Sequence, residues 1–226
     1  MRYLITLILV STVVLAASAE EPDDAPEVSC TSAYPRLSAA RNSAVSNYEA
    51  DPTEALAALE KIARDLQELL ANCPTDPHLL ALASDIKISL GENSQAVDLA
   101  RRALVQAPES WQAHFALGTA LSLLGEMDPA IGHLSKAATL APDNLFLQVN
   151  LCSTLELAAR YERAIQVCTA ALPRLQESEH RGAVFFIRGR ANRELGNSEA
   201  ATADFEAAGS LGFDGERYYS DEHLGK

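Results

Sequence analysis

The chain is short of positive charge. Lys and Arg number 18 against 31 Asp and Glu, a formal net charge of −13 over 226 residues. A protein that neutralises phosphates needs the opposite balance, so nucleic acid is excluded as an expected partner and an anionic membrane surface is disfavoured. Aromatics are only 6% of the residues, with a single tryptophan, Trp111, which leaves little from which to build a stacking platform for sugars. Beyond Leu15 no apolar run approaches the ~20 residues of a membrane span. Glycine-rich phosphate loops, nucleophile elbows and His-Glu-x-x-His are absent. None of the four cysteines (Cys30, Cys73, Cys152, Cys168) stands in a Cys-x-x-Cys pair, and His78, His114, His133, His180 and His223 show no ligand spacing. The acid pairs Asp23-Asp24 and Asp221-Glu222 fall in terminal segments. No metal, no cofactor and no catalytic residues are therefore expected.

What is present begins with an address. Met1-Arg2 opens the chain, Tyr3 to Leu15 carries no charge, Ala17-Ser18-Ala19 is a small-x-small site, and an acidic stretch follows. This order predicts a secretory signal peptide over residues 1–19, cut after Ala19, and a periplasmic or secreted product with no membrane span. Export permits disulfides. Residues 20–33 read as an acidic mobile segment, and Glu20 to Glu27 has the charge to reach arginines elsewhere on the chain.

The remaining sequence, with 48% hydrophobic residues and abundant alanine, favours an all-α core. It repeats with a period of 34. Residues 77–110, 111–144, 145–178 and, after three extra residues, 182–213 align on Gly91, Gly125 and Gly196, on Ala96, Ala130, Ala164 and Ala201, and on Pro108 and Pro142; Ala159 replaces the third loop glycine. Each unit holds two apolar-periodic stretches joined by a short turn, with helix-start chemistry at Asn93-Ser94, Asp128-Pro129 and Asn197-Ser198. Small residues recur where two antiparallel helices must approach: Ser84, Gly118, Cys152 and Gly189 in first helices, the four alanines in second helices. The pattern predicts a right-handed solenoid of stacked helical hairpins. Residues 34–76 read as an aberrant hairpin, with helices over Arg36–Ala50 and Thr53–Asn72 around a capped Asp51-Pro52 turn. Residues 214–226 form a short tail, whose Tyr218 and Tyr219 are candidates with Phe213 to cover the last hairpin.

Leu117-Gly118, Ala130, Leu134, Ala137 and Pro142 resemble the tetratricopeptide repeat, a 34-residue helix–turn–helix. The resemblance covers residues 77–213, departing at the early Pro173 and at the missing final proline of the fourth copy. In an antiparallel hairpin, residues equidistant from the turn face each other. Cys152 and Cys168 flank Arg160 symmetrically, and Cys30 and Cys73 bracket the aberrant hairpin, so both pairs are expected to close as disulfides. In the chain-entropy model they contribute roughly 3 and 4 kcal/mol respectively.

The resemblance also implies a concave groove lined by the first helix of each unit. Its positions here form an apolar row of Ala81, Phe115, Val149 and Phe186. A second row holds Asp85, Thr119, Ser153 and Arg190, and a third holds Ile88, Ser122, Glu156 and Arg193. Such a surface suits an apolar partner segment ending in an acidic group; against this stands the reading that Phe115 and Phe186 only fill gaps between hairpins. His114 is expected to be a hydrogen-bonded core residue. The clamp by which cytosolic chaperone-binding members of the family hold a terminal carboxylate is missing, because Ala81, Asp85, Phe115 and Thr119 occupy its places. The expected function is a non-enzymatic protein-interaction adaptor, against a homodimer built through the C-terminal hairpin or a peptidoglycan- or carbohydrate-binding module.

Overall fold

The structure, a computed structural model, describes residues 30–48 and 50–215. The expected signal peptide, the acidic stretch Glu20 to Glu27 and the tyrosine pair lie outside the described residues. Within them the chain is all-α, with ten helices and no strand. They are α1 (Cys30–Ser46), α2 (Pro52–Asn72), α3 (Pro77–Ser89), α4 (Asn93–Gln106), α5 (Trp111–Leu123), α6 (Met127–Leu140), α7 (Leu145–Leu157), α8 (Tyr161–Ala171), α9 (Ser178–Glu194) and α10 (Ser198–Ser210). A 3-10 turn at Leu172–Arg174 absorbs Pro173. Two compact units divide after Ala116, and no described helix is long and apolar enough to cross a membrane.

In residues 30–116, α1 pairs with α2 and α3 with α4. Asp51 and Asp76 each precede a proline and cap the following helix. Asp51 accepts from the Thr53 and Glu54 amides at 3.0 Å, and Asp76 from the His78 and Leu79 amides at 2.9 Å. Proline in the first helical position sacrifices an amide that has no intrahelical acceptor anyway. Helix α1 starts at Cys30 rather than at the expected Arg36 and ends at Ser46. Cys30 is bonded to Cys73 at the end of α2, with the Cα atoms 6.1 Å apart, and Ala33 and Leu37 are buried. That anchorage carries the helix back through Pro35 into residues assigned from sequence to the acidic segment.

In residues 117–215, α7 pairs with α8, α9 with α10, and α9 also packs on α7 and α8. The close-approach positions are as expected. A Cβ on Gly118 would meet Leu134 Cγ at 2.7 Å and the Ala130 carbonyl at 3.1 Å; one on Gly189 would meet the Phe205 ring at 2.8 Å. Cys152 and Cys168 are fully buried and bonded, with Cα atoms 5.6 Å apart. In the first unit the same register sets the buried Ser84 hydroxyl 2.8 Å from the Ala96 carbonyl, to which it donates. The loop glycines Gly91, Gly125 and Gly196 have φ near +80°, and Ala159 takes that left-handed conformation without being glycine, at φ 54°.

Three helix starts differ from expectation. Asp128 does not cap α6, which begins at Met127 after Glu126; its carboxylate meets Arg160 at 3.1 Å instead. Asn93 and Asn197 make no side-chain cap either, and Asn197 donates to Asn192 across its turn. The three extra residues before the fourth copy lie in the first turn of α9, not in a loop.

Candidate functional site

The inner helices carry the groove rows, and the two units are described separately. In residues 30–116, Ala81 and Phe115 are buried, 4% and 8% exposed. They are core, and do not offer an apolar face to a ligand. Asp85 on α3 is met by Arg41 on α1 at 2.8 Å, with side chains 21% and 10% exposed. Sequence reasoning missed Arg41, because the 34-residue register fades before residue 77. A signal was nevertheless there: Arg41 interrupts a stripe of apolar residues, Leu37, Ala44 and Val45, that the fold buries. Burial pushes the Asp85 carboxyl above the usual aspartate range, and the Arg41 charge only partly offsets it. Tyr34 lies beside this pair and stacks obliquely on His78, ring centroids 5.4 Å apart; desolvation raises its phenol above the ordinary tyrosine value. His114 Nε2 sits 3.0 Å from the Pro108 carbonyl, so the histidine is hydrogen-bonded as expected, but it is half-buried and not a core residue.

In residues 117–215, Val149 has no exposure and belongs to the core around Val184 and Ile187. Phe186 packs obliquely on Phe205 and Phe213, at 5.5 and 5.7 Å between centroids. Ala81, Phe115 and Val149 of the apolar row are therefore packing residues within their own units, while Phe186 stays half-buried among these rings. Of the polar rows, Thr119, Ser122, Ser153, Glu156, Arg190 and Arg193 lie in this unit. Thr119 and Ser122 are buried on α5, Ser153 is half-buried on α7, and Ile88, the third-row member of the other unit, is core. Glu156 on α7, 2% exposed by its side chain, accepts from Arg190 Nε on α9 at 3.0 Å. Burial raises the Glu156 carboxyl above the glutamate range despite Arg190. Arg193, 61% exposed, lies over the Phe205 ring at 5.8 Å and is the most open member of the three rows. Arg190 thus has a partner within its own unit and is not a bare cation waiting for an acidic tail. Among the described residues no three His, Cys, Asp or Glu side chains gather as metal ligands would.

No protein-family model matches the chain, and no curated protein matches its sequence. Solved structures do share its backbone. A crystal structure of MamA superposes with a TM-score of 0.62 at 17% identity, covering 71% of this chain and 92% of that one. MamA RS-1, as an ArsTM double mutant, gives 0.61 at 19% identity over 83% and 97%. MamA AMB-1 gives 0.54 at 23% identity over 78% and 98%. The fold is of the tetratricopeptide type. At these identities the likeness to MamA is one of architecture, and it assigns no residue a role.

Proposed function

We propose that the chain is a non-enzymatic interaction scaffold of the periplasm or extracellular space, and that it holds a partner segment along the inner helices of residues 117–215. The observation that carries this reading is the polar row left on those helices, where Ser153 is half-buried and Arg193 is open to solvent beside the closed Glu156–Arg190 pair. Hydrogen-bonding groups on a rigid helix face orient a peptide, and an exposed arginine takes a carboxylate of the partner. Two cystines support an oxidising compartment. The C-terminal hairpin is a weaker candidate for a homodimer, because Phe213 folds back against Phe186 and Gly182 of its own chain.

The test is capture of a partner from an envelope fraction by wild type and by Ser153→Arg and Arg193→Glu variants of unchanged helicity and melting. Phe115 is unsuitable for such a test, since a charge placed at a buried site would unfold the protein. Loss of the same partner from both variants supports the inner face, and retention in both removes it. Intact mass of the exported protein reports cleavage after Ala19; a mass retaining residues 1–19 would remove the export reading.

A further inference from the structure

Away from the inner rows, α2, α3 and α4 enclose an open groove of about 750 Å³. Its floor is apolar, with Leu66, Leu70 and Leu99, and its walls are charged. Lys87 and Glu92 close on each other at 2.8 Å, but among the described residues Glu60, Arg64 and Asp98 have no ion-pair partner. Helices α2 and α4 run in the same sense, each being the second helix of its hairpin. Arg102 donates to the Pro74 carbonyl at 3.0 Å, which sets it level with the end of α2.

At 1.5 Å per helical residue, Asp98 then stands ~6 Å back from that end, Arg64 ~12 Å and Glu60 ~18 Å. Taken by level along the groove, the charges read minus, plus on the α2 wall and then minus, plus on the α4 wall, in nearly even steps. An alternating series of even length is complementary to its own reversal. A third observation lies on the same ridge of α4. Val105 follows Asp98 and Arg102 at helical spacing and is 75% exposed, more than Leu124 (43%) or Leu195 (37%).

We infer that this groove is a self-docking surface, into which a second copy of the chain lays its α4 antiparallel about a two-fold axis. Each acid then meets a base of the other copy, and each Val105, ~4.5 Å past Arg102, leaves water against α2 of the other copy near the level of Ala57. A two-fold contact makes every favourable pairing twice, so four charges per chain suffice to fix register.

The test is sedimentation velocity of the full, disulfide-bonded chain over a wide concentration range. Wild type is expected to pass from monomer to dimer. Glu60→Lys/Asp98→Lys and Arg64→Glu/Arg102→Glu each place like charges opposite one another and are expected to weaken dimerisation at least about tenfold. An equimolar mixture of the two is expected to recover a heterodimer. Val105→Asp, at a site too exposed to affect folding, weakens the dimer with melting unchanged. A wild type that stays monomeric, a swap variant that dimerises like wild type, or a mixture that stays monomeric would each overturn the inference. None of these variants touches Ser153 or Arg193, so partner capture reports independently.

Discussion

Glu156 and Arg190 are 34 residues apart, one repeat, and they are in contact: the glutamate Oε1 accepts from the arginine Nε at 3.0 Å. Its other oxygen is enclosed and has no hydrogen-bond partner. The pair joins α7 to α9, and Arg41 with Asp85 joins α1 to α3 in the same manner. Taking such charges out of water costs more than one well-placed contact returns. Pairs of this kind set the spacing of successive hairpins and add little net stability.

That balance has a pH signature. The Glu156 carboxyl is raised in the folded protein, so its favourable contribution is complete below the unfolded value and is lost as pH rises through the folded value. Glu156→Gln keeps the shape and the hydrogen bond to Arg190 without the buried charge. In urea unfolding between about pH 4 and pH 8, the variant is expected to gain on wild type as pH rises. A variant that instead loses ground with rising pH would show the ion pair to be net stabilising.

Two glycines give the same substitution opposite signs. Gly118→Ala drives a methyl into Leu134 and the Ala130 carbonyl and is expected to cost about 1–3 kcal/mol. Gly132, in the middle of α6, has nothing within 4 Å of the added carbon. Gly132→Ala is expected to stabilise by about 1 kcal/mol, the helix-propensity difference. Thermal melts of the two variants decide the matter, and equal shifts would contradict the packing described.

The cystines differ in access. Cys152 and Cys168 have no exposure, whereas Cys30 is half-buried. Mild reductant with a thiol label is expected to modify Cys30 and Cys73 first, and removing either bond to cost about 2–5 kcal/mol. Mass mapping of the label against time reads the order, and simultaneous labelling would mean that hairpin opening governs both.

The repeats were legible because their physics is local. Glycine at the loop, alanine at the crossing and paired cysteines each follow from one hairpin considered alone, and Ala159 in the glycine position kept the register readable. Which inner residues face solvent was not legible. Phe115 and Val149 occupy positions that a generic hairpin would leave open, and only the packing of neighbouring helices buries them. Arg41 was hidden for the complementary reason: its partner Asp85 is reached through space, in a hairpin where the period fails. Asp128-Pro129 looked like Asp51-Pro52 and Asp76-Pro77, yet α6 starts one residue before it, and its carboxylate serves Arg160.

The two cystines also decide how far the chain can be drawn out. They bridge sequence separations of 43 and 16 residues, one around the first hairpin and one across the α7–α8 turn. At ~3.5 Å per extended residue, pulling on the ends of the oxidised protein leaves ~150 Å and ~56 Å of contour locked away. Those two hairpins remain as closed loops on an otherwise extended thread, and only reduction returns their length.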